Sequence, residues 1–225
     1  VAESLDDLET LTNAPALWVD SSANSPYTEP VGNGVDRIWF CRSDWQIGQL
    51  SYVRKDILSC YYQSGSGGVP GSFYRANGTK ICDYNQLPIT DRSLLDLVYD
   101  TDAVGGRYAF TKDIAIDAIS GDVAMVFSTY NSGMNYFHYA RMDNATKTYS
   151  SVEIVHAGDD YTEDPNQPAY DGGIVLNHEN INQVYLCREV TSGTKHFEVE
   201  RWDTADAGAT FLPAQYISAD YPLLP

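Results

Sequence analysis

The sequence lacks most of the features that mark helical and membrane-spanning proteins. None of its 225 residues belongs to an apolar run of the 18 or so residues that cross a bilayer, so a membrane span is excluded. Apolar residues at helical spacing are nearly absent, and the exception, residues 4–11, is too short to be stable as an isolated helix. The N-terminus has neither the basic segment nor the apolar core of a signal peptide, and the start at Val1 indicates a processed product or a piece of a larger protein.

Cysteine is also scarce, and the spacing of the four cysteines does not fit the common metal-binding patterns. The four cysteines form no Cys-x-x-Cys pair, and no histidine stands at zinc-ligand spacing from them, which argues against a structural zinc site. Three of them lie in apolar, strand-like runs, where a free cysteine behaves as a small buried hydrophobic residue. Free thiols are therefore favoured over disulfides for Cys41, Cys60, Cys82 and Cys187.

Positively charged residues are also few. Lys and Arg number 14 against 31 Asp and Glu, a net charge of −17, so the field of the protein repels phosphate backbones and anionic membranes and we expect no nucleic-acid partner. Solubility explains this acidity better than a dedicated cation-binding role. The acidic segment 159–164 lacks the EF-hand pattern, which favours a solvated loop. No cofactor is expected; if the segment bound calcium instead, the ligands would be Asp159, Asp160, Glu163 and Asp164.

Tyrosine and turn-forming residues are what the sequence has in quantity. It contains 17 Tyr against 7 Phe, with 17 Gly and 10 Pro, a composition that favours short strands joined by turns. Two stretches follow the same plan of four predicted strands, at 113–117, 123–129, 136–142 and 152–156, and at 173–176, 183–187, 196–202 and 210–218. Four antiparallel strands in about 45 residues is the size of one β-propeller blade.

The N-terminal part is less regular. Segments 16–20, 37–41, 50–54 and 58–62 are drawn as another four-strand set with loops at 21–34 and 65–71, and weaker strand signals lie at 72–76, 79–84 and 94–99. At about 45 residues a blade, the length fits four or five blades. We therefore predict an all-β fold, a β-propeller of four or five four-stranded antiparallel blades in a single domain spanning residues 1–225, complete or part of a larger propeller.

One local motif is fully specified. The segment TADAGATF follows the Asp-box pattern S/T-x-D-x-G-x-T-W/F at every defined position. The pattern has a local physical cause, because a short Asp side chain accepts backbone N–H groups across a tight hairpin and Gly adopts a φ that other residues tolerate poorly. We predict a structural role for its defined positions, Thr204, Asp206, Gly208, Thr210 and Phe211.

Around this motif the chain resembles BNR-repeat (Asp-box) proteins of the sialidase-like β-propeller superfamily. The segments YDGGIVL at 170–176, VYL at 184–186 and EVERW at 198–202 resemble the last repeats of the BNR-4 group, and FHYAR at 137–141 followed by IVHAG at 154–158 is similar to its HxYAR-like strand. The resemblance covers about residues 105–212, and residues 1–104 match nothing specific. A second Asp-box, expected at 143–149, lacks its Gly.

The BNR-4 group includes proteins that resemble polysaccharide lyases, whose reaction needs a base, an acid and a cation beside a uronate carboxylate. The resemblance implies five candidate catalytic residues: His138, Tyr139, Arg141, His156 and Tyr161. Alternation in a strand puts His138 and Ala140 on one face and Tyr139 and Arg141 on the other, so not all can enter one groove. Each histidine is, in general, more often structural than catalytic.

Substrate contacts are predicted for Tyr170 and for the adjacent pair Arg188 and Glu189. A classical sialidase is disfavoured, because it needs three arginines around a carboxylate and a Tyr nucleophile assisted by a Glu, and no FRIP-like arginine motif is present. Arg188 and Glu189 are moreover adjacent in a predicted strand, and adjacent strand residues point to opposite faces.

Two functional hypotheses follow. The first is a carbohydrate-recognition or structural module at an extracellular or virion surface, which other subunits or domains of a larger assembly would contact. The second is a lyase-type enzyme on uronate-containing glycans. The sequence favours the first slightly, because the fold motif is strong and each catalytic set is weak.

Overall fold

The computed structural model describes residues 16–18, 28–45, 54–67, 69–105, 108–159, 171–191, 193–194 and 196–218. These residues form β-sheet and turns, and their only helices are two single 3₁₀ turns, Tyr84–Gln86 and Arg92–Leu94. Neither has the length or apolarity to cross a membrane. The helical candidate at residues 4–11 lies outside the described residues.

The first sheet is assembled from six strands. They are β1 (Thr28–Gly32), β2 (Arg37–Trp45), β3 (Arg54–Gln63), β4 (Ser72–Tyr74), β5 (Lys80–Asp83) and β6 (Asp96–Tyr99). The order is β1-β2-β3-β4-β5, and β6 also pairs with β3; all these pairs are antiparallel.

The prediction for this sheet was wrong in two places. Residues 28–32 form a strand where a loop was expected, because Pro30 and Gly32 are turn formers that an edge strand nevertheless accommodates. Residues 54–63 form one strand rather than the ends of two. Of segment 16–20, only Trp18 makes a bridge, to Ile89, and residues 19–20 lie outside the described part.

The second and third sheets match the two predicted four-strand units. The second contains β7 (Tyr108–Ile116), β8 (Val123–Asn131), β9 (Met134–Asp143) and β10 (Thr148–Asp159), and the third contains β11 (Ile174–Leu176), β12 (Gln183–Thr191), β13 (His196–Asp203) and β14 (Leu212–Tyr216). In both, strands adjacent in the chain are adjacent in the sheet, and every pair is antiparallel.

The core consists of layers between these sheets. Apolar residues of the first and second sheets pack together around Ile57, Val98, Met125 and Phe127. The other face of the second sheet packs on the third sheet through Phe137, Tyr139, Leu186 and Trp202, among others. The second sheet is therefore buried on both faces, which explains the almost continuous apolar run of β8.

The first strands of the three sheets are neighbours, since β7 contacts both β1 and β11. The arrangement of these sheets as consecutive propeller blades stays a prediction. Closure into a ring of four or five blades, and the single domain over residues 1–225, stay predictions. All four cysteines are free, as expected, and burial raises the pKa of Cys41 to about 12.

Candidate functional site

One face of the hairpin formed by β9 and β10 carries both candidate histidines. Tyr136 and His138 are two residues apart in β9 and so point to the same side of the sheet. In β10, His156 pairs with Tyr136 and Glu153 pairs with His138. We name Tyr136, His138, Glu153 and His156 the histidine face.

A β-bulge is responsible for this meeting. The register shifts by one residue between Glu153 and Val155, which leaves Ile154 as the extra residue. Without that shift, the register of Glu153 with His138 would pair His156 with Asn135, on the opposite face. The bulge therefore moves His156 to the side of His138.

His138 is held firmly beneath the surface. Its side chain is 2% exposed, and its Nε2 atom lies 2.8 Å from the Thr129 hydroxyl. The imidazole stacks on Phe127 at 5.0 Å between ring centroids and 8° between planes, and Tyr99 of the first sheet covers it at 5.1 Å. Tyr99 and Phe127 also contact each other at 5.0 Å, so the imidazole belongs to a cluster of three packed rings.

A depression of about 330 Å³ lies over this histidine. Residues of both the first and the second sheet form it, and no Lys or Arg is among those that line it in the described structure. The lining residues are Tyr99, Val104, His138, Ser151, Val152 and Glu153.

His156 differs from His138 in its hydrogen bonding. Its Nε2 atom is buried and has no hydrogen-bond partner among the described residues, although the residue as a whole is half-buried. The imidazole lies 5.2 Å from the ring of Tyr136, with 59° between the planes.

Tyr139 lies on the opposite face of β9, as alternation predicts. It is 1% exposed, and burial raises the pKa of its hydroxyl to about 12 although the nearby Arg141 guanidinium opposes that shift. Its ring packs on Phe211 at 4.9 Å, and a Cβ atom at Gly208 would approach that ring to 2.4 Å. Tyr139 thus packs directly against the Asp-box turn.

Arg141, on the same face, joins the second sheet to the third. Its Nε and Nη2 atoms donate to one carboxylate oxygen of Asp122 at 2.9 and 2.5 Å, and its Nη1 atom donates to the Asn182 side chain at 2.9 Å. Both ion-pair partners are largely buried. These contacts occupy the guanidinium.

Arg188 and Glu189 also have partners inside the protein. The Nε atom of Arg188 donates to the buried carboxylate of Glu200 at 2.9 Å. Glu189 is 4% exposed and accepts the backbone N–H of Asp159 at 3.0 Å. Tyr161 and Tyr170, the other two predicted site residues of this region, lie outside the described residues.

The calcium hypothesis rests mostly on residues beyond the described part. Asp159 ends β10, whereas Asp160, Glu163 and Asp164 lie outside the described residues. Within the described ranges no three His, Cys, Asp or Glu side chains are grouped as metal ligands.

The Asp-box forms the turn between β13 and β14. The Asp206 carboxylate accepts the hydroxyls of Thr204 and Thr210 at 2.7 and 2.6 Å and the backbone N–H of Thr210 at 2.8 Å. These bonds, the Thr210 hydroxyl first, lower its pKa to about 2. Gly208 has φ +93°, and Phe211 is buried. The contacts of the motif are those of a folding element.

The sequence analysis did not select Tyr136, Glu153, Tyr99 or Thr129, which all belong to this region. Tyr136 could have been found, since it is two residues before His138 and period-2 alternation gives both the same face. Tyr99 comes from another sheet, and no sequence signal connects it to His138.

Comparisons with known proteins identify structures of similar fold but no matching sequence family. No protein-family model matches the chain, and no curated protein is similar in sequence. Two solved structures of a polysaccharide lyase, the PL25 ulvan lyase, are similar, one of them bound to -[GlcA(1-4)Rha3S]-. In each case the TM-score is 0.64 at 13% identity, and the match covers 96% of this chain and 49% of the lyase. This chain therefore shares its fold with about half the length of these lyases.

Proposed function

We propose that this chain acts on uronate-containing polysaccharide by lyase-type elimination, with the histidine face as its acid–base site. The observation that carries the proposal is that His138, His156 and Tyr136 share one face of the sheet, and that His138 lines an open depression on that face. The fold shared with ulvan lyases supports a glycan as the ligand.

The reaction assigns a role to each group. A base removes the proton from C5, beside the uronate carboxylate, and an acid protonates the glycosidic oxygen that leaves C4, so that a C4–C5 double bond forms. We assign the base to His156, whose buried Nε2 atom has no hydrogen-bond partner among the described residues and must turn outward to reach the C5 proton, and the acid to the hydroxyl of the adjacent Tyr136. His138, fixed by Thr129, Phe127 and Tyr99, supports the substrate-facing surface.

The ion pairs of the two arginines favour a second candidate, glycan recognition without chemistry. A lyase must neutralise the uronate carboxylate, yet Arg141 and Arg188 are bound to Asp122 and Glu200. Such a module would bind polysaccharide through the same depression and leave it intact, alone or within a larger extracellular or virion assembly.

One experiment separates these functions. The chain is incubated with ulvan, polygalacturonate, alginate and hyaluronan while the ultraviolet absorbance of the unsaturated product is followed, and binding is measured in parallel by calorimetry. Product that is lost in His156→Asn supports the lyase, whereas binding without product supports recognition alone. Neither product nor binding across the panel overturns both proposals.

A further inference from the structure

The hairpin formed by β3 and β4 carries a second depression at the end of the first sheet farther from the histidine face. Two cross-strand pairs form its floor and wall, Tyr61 with Tyr74 and Gln63 with Ser72. Paired residues share a face, so all four side chains belong to one surface. The depression measures about 280 Å³ and is completed by residues 64, 65, 70, 71 and 78.

Its shape is set by backbone packing. A Cβ atom on Gly71 would lie 2.1 Å from the carbonyl oxygen of Gln63, and one on Gly65 would lie 1.7 Å from that of Val69. The Gly71 N–H also donates to the Tyr62 hydroxyl at 3.0 Å. Only glycine fits at these two positions, and the close contacts form the depression in the absence of ligand.

The aromatic wall is rigid as well. The rings of Tyr61 and Tyr74 stack with 5.4 Å between centroids and 19° between planes, and the Arg37 guanidinium lies over the Tyr61 ring at 5.1 Å. Tyr61 is 5% exposed, whereas Tyr74 is half-buried and keeps an edge toward the depression. Aromatic edges and faces pack well against the C–H groups of sugar rings.

Two polar side chains of the depression donate hydrogen bonds to carboxylates outside its lining. The Ser72 hydroxyl donates to Asp83 at 2.6 Å, and the Gln63 amide NH₂ donates to Asp36 at 3.4 Å. The Ser72 proton and one N–H of Gln63 are engaged, so the Ser72 oxygen and the Gln63 carbonyl oxygen are left as acceptors beside the second N–H of Gln63. Asp83 is held anionic, because its bonds with Lys80 and then Ser72 lower its pKa.

These acceptors select a class of ligand. No charged side chain is among the lining residues that the structure describes, so an anionic ligand would find no cation there to pair with. Hydroxyl groups donate to such acceptors, whereas carboxylates and sulfates cannot. We propose that this depression is a second carbohydrate site that binds a neutral sugar residue through its hydroxyl donors.

The site is separate from the histidine face. Tyr99, which covers His138, pairs with Ile57, six residues along β3 from Gln63. Six strand residues span about 20 Å. The neutral-sugar site therefore does not depend on the proposed elimination reaction.

The test measures calorimetric binding of cellohexaose, xylohexaose, mannohexaose and a galacturonate hexasaccharide. At least one neutral hexasaccharide is expected to bind, and Ser72→Ala and Gln63→Ala should each weaken it about tenfold. Tyr74→Phe, which keeps the ring stack, shows whether the hydroxyl contributes. Ser150→Ala, an exposed serine on β10, is the matched control and should leave binding unchanged.

Thermal unfolding of each variant verifies that it is folded. Absence of binding by every neutral hexasaccharide overturns the proposal, as does galacturonate binding of equal strength that Ser72→Ala abolishes. The rate of unsaturated product formation from short uronate oligosaccharides should be the same in Ser72→Ala and wild type. Failure of the lyase assay would leave the neutral-sugar result intact, so the two proposals fail separately.

Discussion

The imidazole of His156 and the ring of Tyr136 lie 5.2 Å apart on adjacent strands of the second sheet. Their meeting depends on the bulge at Ile154, without which His156 would face the third sheet. Bulges that redirect a side chain are common next to active sites. The strongest functional predictions concern this pair.

Replacement of either partner should stop elimination. We expect His156→Asn and Tyr136→Phe each to lower kcat/KM on a uronate polymer by about 10²- to 10⁴-fold, the usual contribution of a positioned acid or base. Product absorbance measures the rate, and calorimetry should show nearly unchanged binding. His178→Asn, an exposed histidine paired with Asp113, is the control and should retain the wild-type rate. A rate within twofold of wild type in both site variants would remove the histidine face from the mechanism.

Tyr139 provides a contrast with Tyr136. Its hydroxyl is buried and makes no hydrogen bond of normal geometry in the described structure, so Tyr139→Phe removes nothing that catalysis uses. We expect full activity and an unfolding free energy equal to or slightly above that of wild type. Loss of activity at unchanged stability would show that Tyr139, and not Tyr136, is the reacting tyrosine.

Arg141 should matter for stability. Arg141→Met leaves the buried Asp122 carboxylate unpaired, which costs about 3–5 kcal/mol and lowers Tm by about 10 °C in a domain of this size. Adding Asp122→Asn removes the stranded charge but keeps an acceptor for the Asn144 N–H, and should restore part of the loss. The arginine acts in the reaction instead if activity falls while Tm stays constant.

The Asp-box should be sensitive to acid. The folded-state pKa of Asp206 is lowered from 3.8 to about 2, so the ionised carboxylate stabilises the fold fully above its unfolded pKa. That stabilisation is lost as the pH falls from about 4 through 2. Urea unfolding of wild type and Asp206→Asn at several pH values measures the difference between their free energies of unfolding. This gap should be constant above pH 5 and should shrink below pH 4. A gap independent of pH would contradict the proposed role of the charge.

Ionic strength should separate the two carbohydrate sites. A uronate polymer approaches a chain of net charge −17, and added salt shortens the Debye length from about 30 Å at 0.01 M to about 8 Å at 0.15 M. We therefore expect uronate turnover to rise several-fold over this range. Binding of a neutral hexasaccharide should not change; a fall in uronate turnover with salt would mean that local positive charge dominates.

Much of the fold was accessible from local patterns. Strands were expected at 123–129 and 183–187 as apolar runs between turn residues, and the structure confirms both, with somewhat longer bounds of Val123–Asn131 and Gln183–Thr191. β1 was missed because Pro30 and Gly32 argue against a strand locally, while pairing with β2 and contact with β7 outweigh that preference. The histidine alternation was also foreseen, since Tyr139 and Arg141 do lie opposite His138.

The sequence by itself determined the Asp-box turn, because the bonds of Asp206 all go to residues within four positions of it. It likewise determined which residues of β9 share a face. Only the tertiary structure decided that His156 lies on the same face as His138 and that Tyr99 covers His138. Those contacts depend on a one-residue register shift and on the packing of two separate sheets, and side-chain periodicity within a single strand carries no information about either.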